Sequence, residues 1–296
     1  MTMQGRLEGK VAIVTGGGAG IGEAICKKFA REGAAVVVAG FVEDPVRAVV
    51  DEITAAGGRA VAFTGDVSHQ QTAEACVKLA VEQFGKLDIL INNAGVFPTT
   101  STIDTYPVEA FEYLIKNNVY STFMMTRAAM PHLQKTRGNV VSAGSESGEI
   151  GLAQNSPYGA SKGWVHAFMR GVAVEQARNG VRANCVCPGP IDTAWTHKET
   201  GPMTAKMEKG LVAGTPMGRR GTTEEVANVY AFIASDEASY VTGALYFVDG
   251  GTTVSKGPDG DEVPSELKQE PEGQLAVEHS KDGHTKIREA DAGHMV

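Results

Sequence analysis

Lys10-Val-Ala-Ile-Val-Thr15-Gly16-Gly17-Gly18-Ala19-Gly20-Ile21-Gly22 is the stretch on which the fold turns. A short apolar run leads straight into a glycine-rich turn, and Ile21, Ile25 and Phe29 then recur on one helical face. Strand, turn and helix in this order need glycine for three reasons. The chain must bend sharply, its backbone must come close to a pyrophosphate, and the helix must pack against the strand. The start of the helix offers N–H groups and the positive end of its dipole to phosphate oxygens. Gly16, Gly18, Gly20, Ile21 and Gly22 are therefore candidate contacts to a dinucleotide. A plain glycine-rich turn has the same composition, but the flanking strand and helix favour the cofactor reading.

The rhythm of the first segment repeats downstream. Strands are expected at 10–14, 35–39, 59–63, 87–91, 139–143, 182–187 and 245–248, and helices at 21–32, 46–55, 72–84, 111–135, 158–179 and 224–234. This alternation implies right-handed crossovers and an α/β fold, a doubly wound parallel sheet of about seven strands, Rossmann-like, in a single domain at 7–254. The Val/Ile/Ala content of the early strands suits burial on both faces. Residues 188–222 break the rhythm with Pro188, Pro190, Pro202 and Pro216, together with Trp195, Met203 and Met207. A long irregular insert in a compact domain reads as a lid. Residues 255–296 carry ten acidic residues against five basic ones, so this acidic C-terminal extension holds most of the net charge of −8. Its composition reads as a disordered tail.

The balance of charge leaves no basic face for nucleic acid. No apolar run is long enough to span a membrane, and the N-terminus lacks the apolar stretch of a secretion signal, so a cytoplasmic enzyme is expected. Cys26, Cys76, Cys185 and Cys187 lack zinc-type spacing and read as small, reduced core residues; no metal is expected. Cys185 and Cys187, two apart on a strand, share one face.

The end of the second strand selects between cofactors. An acid there binds the ribose 2′-OH of NAD, whereas a nearby Arg accommodates the 2′-phosphate of NADP. Gly40, Phe41 and Val42 stand at these positions, without acid or base. Glu43 and Asp44 just beyond would repel a 2′-phosphate, which favours NAD and leaves NADP possible.

A second constellation lies far from the first. Tyr158 and Lys162 are four apart on one helical face. A phenol is a poor acid or base at neutral pH, and a neighbouring ammonium favours the phenolate and lowers its pKa. Alone, that spacing is close to what chance supplies, and a surface Tyr beside a solvated Lys reads the same. Ser145, thirteen residues before Tyr158, and Asn118 change the weighing.

Together these segments resemble the short-chain dehydrogenase/reductase family, of the single-domain type. The resemblance covers about residues 7 to 254. It rests on Thr15 to Gly22, Asp66-Val67, Asn92-Asn93-Ala94-Gly95, Asn118, Ser145, Tyr158-Gly-Ala-Ser-Lys162, Pro188-Gly189, and Thr242-Gly243 with Asp249-Gly250-Gly251. It implies hydride transfer between NAD(P) and a secondary alcohol or ketone, with Tyr158 as general acid/base. Ser145 would bind the same substrate oxygen, Lys162 would bind the nicotinamide ribose and tune Tyr158, and Asn118 would hold a relay water. Asp66 and Val67 would lie at the adenine, Asn93, Ala94 and Gly95 along the cofactor, and Pro188, Gly189, Ile191 and Thr193 by the nicotinamide. Asp66 could equally cap a helix, and Asn118 could only brace its own. Asn117 is a neighbouring alternative to Asn118.

The chain departs from the pattern at Gly40, at Gly144 where a small hydroxyl residue is usual, and beyond residue 255. The substrate pocket is expected from Val96, Phe97, Ser145, Glu146, Gly148, Leu152, Asn155, Tyr158, Pro190, Trp195 and Met203, for a medium-sized and partly apolar small-molecule alcohol or ketone. Lys198, Lys206 and Lys209 alternate with Glu199 and Glu208 and read as a solvated face. The resemblance also implies a homotetramer built through helix pairs and the last strand. Two other functions fit the frame: an epimerase or dehydratase, and a non-catalytic cofactor-binding protein.

Overall fold

The computed structural model describes residues 5–41, 44–193 and 205–268. Its centre is one sheet of β1 (Val11–Thr15), β2 (Ala35–Gly40), β3 (Arg59–Thr64), β4 (Ile89–Asn92), β5 (Asn139–Ala143), β6 (Arg182–Pro188) and β7 (Leu245–Val248). The spatial order is β3-β2-β1-β4-β5-β6-β7, with every neighbouring pair parallel. The chain reverses its winding between β1 and β4, the crevice where doubly wound sheets hold ligands.

Alternate residues of each strand feed opposite cores. Val36 and Val38 join Ile25, Phe29, Ile89 and Tyr230 on one face, while Val37 joins Ile13, Leu90, Met125, Val140 and Met169 on the other. β1, β2 and β4 are buried throughout, as their unbroken apolar content requires, whereas edge strand β3 is half-exposed. Helices α1 (Gly20–Arg31), α2 (Val46–Ala55), α3 (Gln70–Phe84), α4 (Val108–Ile115), α5 (Ser121–Thr136) and α6 (Ser156–Gln176) follow in order. All four cysteines are buried and free, and Cys185 and Cys187 face the same core.

Three differences from the sequence expectation bear on the site. The helix expected over 111–135 is two helices joined by one π-helical turn, Lys116–Tyr120, which contains Asn118. The insert at 188–222 is not wholly irregular: α7 (Ala205–Ala213) lies within it and α8 (Thr223–Ala234) begins at its end. Glu208 of α7 is drawn into an ion pair with Arg220 at 3.1 Å rather than into solvent, while Lys206 and Lys209 are exposed. Beyond β7 the chain continues across the molecule: a short turn, Asp259–Glu262, packs on α7 with Gly260 buried. Val42, Glu43, Trp195, Lys198, Glu199, Met203 and the extension from 269 onward lie outside the described residues. Among the described residues no helix is long and apolar enough to cross a membrane.

Candidate active site

The tips of β1 and β4 are laced together at the switch point. The Thr15 hydroxyl accepts the N–H groups of Asn93 and Ala94, each at 3.0 Å, and donates to Ile91 O at 3.3 Å. The Asn93 amide donates back to the carbonyls of Thr15 and Gly16 at 3.0 and 3.2 Å. Gly16 adopts φ +63°, a left-handed conformation that glycine takes at little cost. A Cβ on Gly22 would collide with Gly16 O, so α1 starts directly against the turn. Gly18 and Gly20 lie on the same turn, Gly20 facing the Thr193 methyl, with Ile21 partly buried behind them. This is a cradle that side chains would fill, open at a helix N-terminus, and it fits a dinucleotide pyrophosphate.

At the tip of β2, Asp44 lies over the bare α-carbon of Gly40. Its carboxylate accepts the Phe41 N–H at 2.7 Å, and its Oδ2 would come within 2.8 Å of a Cβ at position 40. A carboxylate therefore stands at the β2 tip although the sequence position is glycine.

Asp66 serves its own loop. It accepts the Ser68 N–H at 2.9 Å and pairs with Lys116 at 3.0 Å. Burial pushes this carboxyl upward, but the Ser68 and Lys116 contacts outweigh it and hold it below the usual range. Val67 is buried in the core beside it. Asn92 turns inward, donating to Thr126 and Ser142 at 2.9 and 3.1 Å.

Asn118, 1% exposed, presents its amide to the loop after β4. Its Oδ1 accepts Val96 N–H at 2.7 Å, and its Nδ2 donates to Val96 O and to Ser161 Oγ, both at 3.1 Å. A π turn inserts one residue into the helical register, and here it aims Asn118 at the site while Asn117 bonds back to Tyr113 O at 2.8 Å. The three bonds of the Asn118 side chain fasten the loop after β4 to α6. Gly95 separates Asn118 from Lys162, each within about 3.5 Å of where its Cβ would lie.

Tyr158, Lys162 and Ser145 come together as their spacing requires. The Ser145 hydroxyl lies near enough to the Tyr158 phenol to lower its pKa. The Phe97 ring packs edge-on against that of Tyr158, with centroids 4.8 Å apart. Lys162 Nζ lies 5.6 Å from the Tyr158 ring centroid and donates to Ala143 O at 2.9 Å. The acidities differ from the sequence expectation of a lowered Tyr158 pKa. Burial pushes the phenol up to about 12, with the Ser145 hydroxyl acting downward and Glu146 upward. The Tyr158 side chain is half-buried. Burial also lowers Lys162, to about 8. Desolvation outweighs the ammonium because Lys162 sits over the ring and bonds Ala143.

Glu146 follows Ser145 and faces Asp249. Burial, then the Asp249 charge, raises its carboxyl to about 7. Asp249 stays low, because bonds from Thr253 and Gly251 outweigh its own burial, so the pair carries its proton on Glu146. Glu146 Oε2 lies 3.0 Å from the Cβ position of Gly189, beside Pro188 at the end of β6. Leu152 and Asn155 border a shallow groove shared with Gly159 and Gly163 of α6. Ile191 is buried and bridges to Gly221, and Arg220 joins Asp192 at 2.6 Å to Glu208 at 3.1 Å, closing the base of the 188–222 segment.

A family model described as "Enoyl-(Acyl carrier protein) reductase" matches residues 16–253. The chain belongs to the short-chain dehydrogenase/reductase family. An uncharacterised oxidoreductase of Methylorubrum extorquens is 41% identical over 247 residues, covering 83% of this chain and 98% of the relative. L-fucose dehydrogenase of Bos taurus is 38% identical over 275 residues, 92% and 100%. L-rhamnose 1-dehydrogenase (NAD(P)(+)) of Sphingomonas sp. (strain SKA58) is 39% identical over 254 residues, 84% and 98%. This short-chain dehydrogenase/reductase is thus an oxidoreductase of a family whose named members transfer hydride with NAD(P).

Sequence reasoning missed three residues that shape the site: Thr15 as the lace between strands, Arg220 as the clamp of the insert, and His166. The last left a signal, since Tyr158, Lys162 and His166 recur at intervals of four on α6.

Proposed function

We propose that the protein is an NAD-dependent dehydrogenase that oxidises a sugar-like secondary alcohol, with Tyr158 as the general base. The observation that carries this reading is the convergence of Tyr158, Ser145 and Lys162 within one laced pocket at the switch point. NAD supplies the hydride acceptor. Gly16, Gly18, Gly20, Ile21 and Gly22 would hold its pyrophosphate, Asn93, Ala94 and Gly95 its central part, and Pro188, Gly189, Ile191 and Thr193 its nicotinamide end. Asp44 supports NAD over NADP, because a 2′-phosphate at the β2 tip would meet its carboxylate.

Ser145 binds the reacting hydroxyl and Tyr158 takes its proton. Lys162, held on Ala143 O, favours the Tyr158 phenolate that accepts this proton. Before the step the Tyr158 phenolate would face a second negative charge unless Glu146 stays protonated, which its contact with Asp249 favours. The relatives named for L-fucose and L-rhamnose bring a substrate class with them. Both sugars are deoxyhexoses, medium-sized and partly apolar, and their hemiacetal carbon carries the hydrogen and hydroxyl that a secondary alcohol gives up as hydride and proton. Phe97, Glu146 and Leu152 would line the substrate side.

The exposed Phe111, Tyr120 and Phe123, on α4, the π turn and α5, suit a homotetramer made through helix pairs. Four buried thiols suit the reducing cytoplasm.

The test is a panel of aldoses and secondary alcohols, L-fucose and L-rhamnose included, with NAD and with NADP, followed by reduced-cofactor absorbance. Tyr158→Phe should bind NAD normally and lose turnover by about a hundred- to ten-thousand-fold. Undiminished turnover in that variant would sink the mechanism. Product formation without net cofactor reduction would favour the epimerase or dehydratase reading.

A further inference from the structure

His166 lies directly behind Ser145. It is 3% exposed, and no step above uses it. Its ring fits between two glycines. A Cβ on Gly144 would come within 2.5 Å of Nε2, and one on Gly148 within 2.7 Å of Cε1. Cys187 Sγ of β6 lies 3.2 Å from Nε2, and the Ser145 N–H points at the same nitrogen from 3.5 Å, the long end of a hydrogen bond. The ring of Phe247 on β7 stands edge-on to the imidazole at 6.5 Å.

The protonation of this cluster follows from its burial. Burial lowers His166 to about 4 and raises the Cys187 thiol to about 12. Near neutral pH the imidazole is uncharged and the thiol keeps its proton. Cys187 S–H and Ser145 N–H are then both donors, so Nε2 is the acceptor and Nδ1 carries the ring hydrogen.

We propose that His166 is a positioning residue for Ser145: its imidazole fills the space left by Gly144 and holds the Ser145 main chain from behind through Nε2. Helix α6 then grips the loop after β5 at three successive points. Tyr158 meets the Ser145 hydroxyl, Lys162 holds Ala143 O, and His166 holds Ser145 N–H. Lys162 and His166 are each one helical turn from the preceding contact, so a single rigid element sets both the acid/base and its oxygen-binding partner. Gly144, a departure from the family pattern in sequence, is the partner of a buried histidine in space. A side chain at 144 and the ring at 166 cannot coexist without movement.

This inference rests on the proposed role of Ser145, so its test has one arm that needs no substrate. In the full-length protein, amide hydrogen exchange is followed in peptides spanning 143–149 for wild type, His166→Leu and His166→Asn. His166→Leu should speed exchange there by about ten-fold or more, leaving peptides of β1 and β2 unchanged, and His166→Asn should retain most of the protection. Equal exchange in all three would overturn the proposal, whether or not any alcohol turns over.

The second arm uses the fastest substrate from the panel. His166→Leu should lower kcat about ten- to hundred-fold with the KM for NAD kept, and His166→Asn should recover most of it. Gly144→Ser alone should lose a similar factor through collision with the ring. Gly144→Ser with His166→Ala relieves that collision and offers a hydroxyl in place of the imidazole, so kcat should rise about ten-fold above the Gly144→Ser variant. Multiplicative losses in the double variant, or a kcat unchanged in His166→Leu, would overturn it.

Discussion

The tips of β1 and β4 and the tips of β6 and β7 both face the crevice, but they are built on different principles. The first half is held by main chain bridged by two neutral side chains. Thr15 and Asn93 tie two turns together, and Gly16 and Gly22 let backbone press on backbone. The second half is held by charged side chains. Arg220 joins Asp192 to Glu208, and Glu146 shares its surroundings with Asp249. A cofactor common to many enzymes suits a fixed main-chain cradle, whereas a substrate side that must differ between enzymes suits side chains, which change without moving the strands.

The largest effect on cofactor binding should come from breaking the main-chain half. Gly22→Val places branched carbons where Gly16 O already lies, so the turn and the start of α1 must separate. NAD affinity, read by protein fluorescence or calorimetry, should fall more than about a hundred-fold, the loss of roughly 3 kcal/mol of binding. Retained affinity would mean that the cradle is softer than the lacing suggests.

Next comes the clamp of the charged half. The Arg220 side chain is 7% exposed, and removing it leaves two carboxylates near one another without their cation. Arg220→Met should cost about 3–5 kcal/mol, measured by denaturant unfolding, with the NAD affinity of the remaining folded protein kept. A joint loss of stability and NAD binding would show that the two halves are not separable.

The sequence made the first half legible and the second only in outline. The βα rhythm reached all seven strands because buried parallel strands are unbroken runs of Val, Ile and Ala. The glycine turn and the Ser145–Tyr158–Lys162 set were readable because main-chain cradles and single-helix faces fix residue spacing. α7 was not, since prolines and glycines surround it and masked its short apolar pattern. Asp44 at the β2 tip was visible only as a charge four residues beyond Gly40, because its place depends on the path of the loop. Arg220 and His166 were unreadable as partners: 28 residues separate Arg220 from Asp192, and 21 separate His166 from Ser145. No local period connects such pairs. Tyr158 acidity was misjudged for a related reason, since helical spacing gives proximity to Lys162 but not depth of burial.

The smallest effect should come from Glu146, and its sign follows from linkage. The folded protein holds this carboxyl at about 7 against an ordinary 4.5, because burial and the Asp249 charge both disfavour its ionised form. Between those pH values the folded state binds a proton that the unfolded state has released. Stability contributed by Glu146 is therefore present below pH about 4.5 and is lost as pH rises to about 7, by at most roughly 3 kcal/mol. Glu146→Gln keeps the shape of the side chain and removes its titration. Its unfolding free energy should lack that downward slope, which a pH series of urea melts on both proteins would read directly. At pH 8 the variant should be the more stable of the two, because the wild type then holds a carboxylate beside Asp249. If the slopes coincide, the charged half is wetter than the Glu146–Asp249 contact implies, and its contrast with the main-chain half rests on Arg220 alone.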